Sequence, residues 1–160
     1  EASKALGVRS ARLKVGSATD GLVYGATAGL GFSAMENLLY GLTAWVALSQ
    51  QGLDPSGSLV VIAVRSFSSS LLHASATATV GYGMAKGWLS RLSHAVLPFY
   101  LLAVIMHGTF NFFTGLGQLY PGRLAGLEDY IGFFAAVAFA VAAITIVRLK
   151  LVTRQAISVR

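Results

Sequence analysis

Four stretches of this chain, residues 21–48, 58–85, 97–116 and 130–147, are each apolar for long enough to cross a bilayer. A crossing needs about 20 mostly apolar residues in a helix. In hydrocarbon, with no water to satisfy the backbone, only a helix or a closed barrel spans. The stretches therefore predict an all-α, polytopic transmembrane bundle. Composition agrees: 55% of the residues are hydrophobic and 11% are charged, against about 25% charged in a soluble domain. Turn chemistry separates the stretches at Asp54-Pro55-Ser56-Gly57 and Tyr120-Pro121-Gly122. Thr19-Asp20 reads as a helix start, and Pro98 suits the first turn of the third helix. With no internal repeat or low-complexity segment, residues 1–160 read as one membrane domain.

The basic residues predict the orientation. Lys4, Arg9, Arg12 and Lys14 precede the first stretch, Lys86 and Arg91 lie between the second and third, and Arg148, Lys150, Arg154 and Arg160 follow the fourth. The other two loops carry only Arg123, and Arg65 lies within the second stretch. Basic loops stay inside, so the N-terminal segment and the C-terminus are expected in the cytoplasm of a multi-pass cell-membrane protein. The net charge of +6 forms no continuous basic face, which argues against a nucleic-acid partner. The absence of cysteine excludes disulfides and thiolate metal sites. Residue 1 is Glu rather than Met, and no signal peptide precedes it, so the chain reads as part of a longer one with a helix upstream.

Several ionisable residues lie at bilayer depth, where a charge costs on the order of 3 kcal/mol and usually marks function. They are Glu36 in the first stretch, Arg65 and His73 in the second, and His107, with Asn111 one turn on, in the third. Glu36, His73 and His107 fall near the centres of their stretches, so the three are expected at one level. Arg65, Ser69, His73 and Thr77 form a four-residue row on one helix face, and Asn37 adjoins Glu36. Glu36, His73 and His107 make a plausible zinc set, which would leave a position open for water. Alternatively, a carboxylate activates water directly while His and Asn support the oxyanion. Spacing alone does not choose between them. Each residue also has a packing role to weigh. Glu36 and Arg65 can form an ion pair fixing register, and His73 can bond a backbone carbonyl. His107 with Asn111, or the run Ser66, Ser68, Ser69 and Ser70, can join helices.

The segment from Asp20 to Tyr40 resembles the PrsW family of intramembrane proteases, within the wider group of CAAX prenyl endopeptidases. Gly31, Phe32, Glu36 and Asn37 match its GFxxxEN motif; Arg65 and His73 match the Arg and His of its next helix; His107 and Asn111 match its HxxxN motif. Glu1-Ala-Ser-Lys4 looks like the last four residues of its EExxK motif. The resemblance implies a peptidase acting on a membrane-anchored protein substrate, an anti-sigma factor being the best-known target, with or without a metal such as zinc. It implies catalytic roles for Glu1, Glu36, His73, His107 and Asn111, with Lys4 and Arg65 balancing charge and Asn37 supporting. Glu1 is expected nearer the membrane edge than Glu36, reached through a water-filled cavity. Two other classes remain open: a non-catalytic membrane scaffold, and a proton-coupled transporter, against which the lack of paired broken helices argues.

Overall fold

A computed structural model describes residues 1–123, 127, 131–142, 145, 146 and 149, apart from the side chains of 61, 64, 65 and 118. The described residues are helical, with no strand among them. In chain order the helices are α1 (Ala2–Ser10), α2 (Ala18–Gln50), α3 (Gly57–Ser90), α4 (Leu97–Thr114) and the single turn α5 (Leu116–Leu119). A further apolar helical segment covers Ile131–Ala142. The stretch Ser93–Thr114, with a mean hydropathy of 1.6, is the one described helical unit apolar and long enough by composition to cross a membrane.

Local chemistry explains most boundaries. Ser17 accepts from the Asp20 backbone N–H while the Asp20 carboxylate accepts from the N–H groups of Gly16 and Ser17, closing a capping box at the start of α2. Those backbone bonds, Gly16 first, hold the Asp20 carboxyl below its ordinary range. Asp54 accepts from the Ser56 N–H in the turn before α3. Pro98 lies in the first turn of α4, where its missing N–H leaves no bond unmade. The third expected span runs two residues too long, because the chain leaves α4 after Thr114 through Gly115. The fourth is described only in part: Tyr130, Ala143, Ile144 and Val147 lie outside the described residues, as do Arg148, Lys150, Arg154 and Arg160. Residues 1–20 form more than a polar lead-in, because α1 buries Lys4 and Val8, one turn apart, against the bundle.

Helices α2 and α3 are antiparallel and unusually close. Gly21, Gly25, Gly29, Ser33, Asn37 and Gly41 recur every four residues and are the buried face of α2. A Cβ at Gly21 would overlap the Gly81 carbonyl oxygen, one at Gly25 that of Thr77, and one at Gly29 that of His73. Each step of four up α2 meets a step of four down α3, so one register holds along the seam. Further along, hydroxyls replace glycines: Ser33 Oγ lies 2.9 Å from Ser70 Oγ, and Asn37 Nδ2 donates to Ser66 Oγ at 3.3 Å. The serine run thus joins helices. Behind α3, Leu72, Ala76 and Val80 form an apolar core with Ala103, Met106 and Phe110 of α4 and with Ala136 and Ala140.

The exterior is apolar. Ile105 is 64% exposed, Val60 64% and Phe134 67%, while Lys4, Ser69, His73 and Thr77 are buried. This inside-out polarity suits a hydrocarbon solvent and not water.

Contact with carbonyl oxygens, which cannot rotate away, makes the seam intolerant of added volume. Gly25→Ala is expected to destabilise the protein by about 1–3 kcal/mol, as overpacking does. Gly31, on the same helix with nothing near its Cβ position, serves as the control. Gly31→Ala should leave the thermal midpoint of the purified protein unchanged or raised, and Gly25→Ala should lower it.

Candidate active site between α1, α2, α3 and α4

Four helices each present one side of a polar cluster. Glu1 and Lys4, three residues apart, share a face of α1. Phe32 and Glu36 lie one turn apart on α2. His73 stands on the α3 row that faces α2, and its depth follows from the glycine seam, since Gly29 abuts its own carbonyl. His107 comes from the middle of α4.

The contacts run as a chain. His73 Nε2 is 3.0 Å from Glu36 Oε2, and His73 Nδ1 is 2.7 Å from Lys4 Nζ. Lys4 Nζ donates to Glu1 Oε1 at 2.6 Å, and Glu1 Oε1 is 2.8 Å from His107 Nδ1. The two imidazoles meet edge to face, ring centroids 4.9 Å apart. Phe32 closes one side, its ring 5.3 Å from that of His73 and its centroid 4.7 Å from Lys4 Nζ.

Donor and acceptor logic assigns the protons. An ammonium only donates, so His73 Nδ1 accepts, and its proton sits on Nε2, facing the Glu36 carboxylate. A carboxylate only accepts, so His107 Nδ1 carries the proton directed at Glu1. The 3.4 Å approach of Lys4 Nζ to His107 Nδ1 is then an electrostatic contact and no hydrogen bond. Two atoms are left over: Glu1 Oε2 is buried with no hydrogen-bond partner, and His107 Nε2 has none among the described residues.

Glu1 and Glu36 are linked through side chains: Lys4, 3% exposed, carries an ammonium from Glu1 to the imidazole that Glu36 holds from its other edge. The anticipated ligand set of Glu36, His73 and His107 differs from the three groups that converge. Those are Glu1, His73 and His107, each with a ligand atom within 4.8 Å of the other two. Glu1 lay outside any apolar stretch, and its place at the site was signalled by the motif resemblance and by Lys4, a cation too costly to bury unpaired. Asn111 is exposed one turn beyond His107 and outside the hydrogen-bonded chain. Asn37 belongs to the serine seam, not to the cluster. The Arg65 side chain lies outside the described residues. His94 is exposed in the short turn before α4.

The donor set fits a divalent metal. Two imidazoles and a carboxylate are a common catalytic zinc set, with one position open, and the unpartnered Glu1 Oε2 offers a further lone pair.

A helical bundle with an apolar exterior and a hydrogen-bonded set of carboxylates, imidazoles and an ammonium at its centre is built as a membrane-embedded enzyme. Residues 1–147 match the family model described as PrsW family intramembrane metalloprotease, and the chain belongs to that family. It is accordingly a protease of a membrane-embedded family, whose substrates are membrane proteins. Searches among curated proteins and among solved structures each returned no match.

The proton assignment has a direct spectroscopic consequence. In 15N-histidine-labelled protein at neutral pH, His73 should give the shift pattern of the Nε2–H tautomer and His107 that of the Nδ1–H tautomer. Lys4→Met should erase the preference at His73.

Proposed function

We propose that this chain is the catalytic bundle of a multi-pass intramembrane peptidase. It crosses the bilayer at the four apolar stretches as one domain, with the N-terminal segment and the C-terminus in the cytoplasm. Its substrate is a membrane-anchored protein, of which an anti-sigma factor is the class suggested by family resemblance. The observation that carries this reading is the unbroken chain Glu36–His73–Lys4–Glu1–His107, held between helices of a chain from a protease family.

The residues divide the work as follows. Glu1 is the base: Lys4 and His107 hold its Oε1, and its free Oε2 takes a proton from the attacking water. Glu1 then returns that proton to the leaving amine, the open Nε2 of His107 accepts from the attacking water, and the Asn111 side-chain N–H, on the same face of α4, donates to the developing oxyanion. Such proton transfer and charge stabilisation contribute about 100-fold or more each. Glu36 orients His73, which in turn fixes Lys4. A metal, when bound, would be held by Glu1, His73 and His107, and it would polarise the carbonyl and acidify a bound water.

Glu36→Gln keeps an acceptor for His73 and removes only the charge, whereas His107→Ala removes the group nearest the substrate. Both variants should lose about 100-fold or more in cleavage of a membrane-anchored reporter in vesicles, with thermal midpoints close to that of the parent. Normal cleavage by both would end the proposal. Loss of folding in Glu36→Gln, with no separate effect on turnover, would instead favour a scaffold.

A further inference from the structure

The point on which the Glu1, His73 and His107 ligand atoms converge is already held by a cation. Lys4 Nζ lies 2.6 Å from Glu1 Oε1, 2.7 Å from His73 Nδ1 and 3.4 Å from His107 Nδ1. We propose that the Lys4 ammonium is the resident cation of this triangle, and that a divalent metal binds Glu1, His73 and His107 only by displacing it.

The argument is one of occupancy. The ammonium already takes the lone pairs of Glu1 Oε1 and His73 Nδ1 that a metal in this triangle would need, so those pairs serve either cation and cannot serve both, while His107 would join a metal by giving up its Nδ1 proton. The His73 Nδ1 pair is committed to Lys4, because Nε2 is engaged with Glu36. The Glu1 Oε1 atom is shared between Lys4 and His107. A metal entering beside a retained ammonium would also place three positive charges against the two carboxylates of Glu1 and Glu36, with metal and ammonium sharing one small triangle, an arrangement that Coulomb repulsion disfavours. Displacement is sterically simple: Lys4 is three residues from Glu1 on the same short helix, with a flexible four-carbon stem. Lys4 therefore sets metal affinity in addition to balancing charge. The cluster exists in two exclusive forms, one closed by the ammonium and one by the metal.

This inference shares the site of the peptidase reading but is tested without cleavage, so either can fail alone. Zinc chloride is titrated into the full-length protein in detergent against a competing fluorescent chelator. Lys4→Met should bind one zinc at least tenfold more tightly than the parent, and adding His73→Ala to Lys4→Met should abolish the gain. The second measurement uses the parent protein and does not depend on the variant folding. Lys4, buried in the ammonium form, should resist an amine-acylating reagent, and saturating zinc should make it reactive, as read by mass spectrometry of the Lys4 peptide. Equal zinc affinity in the parent and Lys4→Met, or a Lys4 that stays protected when zinc is bound, overturns the proposal.

Discussion

The absence of a Cβ at Gly21, Gly25 and Gly29 is the constraint from which the site follows. In hydrocarbon, helices gain little from burying apolar surface against one another, because lipid is as apolar as leucine. Association rests on close packing and polar contacts, and the α2–α3 seam supplies both: glycine against carbonyl at one end, Ser33, Asn37, Ser66 and Ser70 at the other. The site lies at the changeover. Gly29 meets the His73 backbone, so the spacing of the two helices decides where the imidazole stands. Glu36, seven residues on from Gly29 and so on nearly the same face, arrives beside it.

The second constraint is the cost of charge. An ammonium and a carboxylate buried together, as Lys4 and Glu1 are, gain little net stability, but removing one partner leaves the other uncompensated at a cost of about 3–5 kcal/mol. The pair is therefore more plausible as a means of holding chemistry in place than as a source of stability. The His73 imidazole, which accepts from the ammonium and is therefore neutral, extends it without adding net charge. The cluster thus carries polar groups into a protein whose exposed surface is set by residues such as Ile105, Val60 and Phe134.

Much of this was legible before the coordinates. The three long helices α2, α3 and α4 and the turns at Asp54-Pro55 and Tyr120-Pro121 follow from apolar run lengths and turn chemistry, and the meeting of His73 with Glu36 and His107 follows from the cost of charge in lipid. The carbonyls that Gly21, Gly25 and Gly29 meet were not legible, since backbone approach leaves no mark on the facing sequence. The missing piece was α1. Its polar composition hides a helix whose buried face consists of Lys4 and Val8, a pattern no hydrophobic periodicity detects. The contacts of Glu1 are set by its place at the start of α1, one turn before Lys4, and not by its distance along the chain from Glu36.

Hydrogen-bond parity limits where substrate can engage. Along the chain from Glu36 to His107 each bond has one donor and one acceptor, so His73 has no capacity left for a reacting group unless the chain is broken, and Lys4 keeps one of its three N–H groups. The spare acceptor capacity lies at Glu1 Oε2, a buried acceptor without a donor, and at His107 Nε2. A carboxylate oxygen and an imidazole nitrogen left open at the end of one network are suited to a water on one side and a scissile peptide on the other. The α2–α3 seam is too tight at its glycines to admit even a methyl group, whereas on α4 His107 is half-buried and Asn111 exposed, which leaves that side open to an entering substrate.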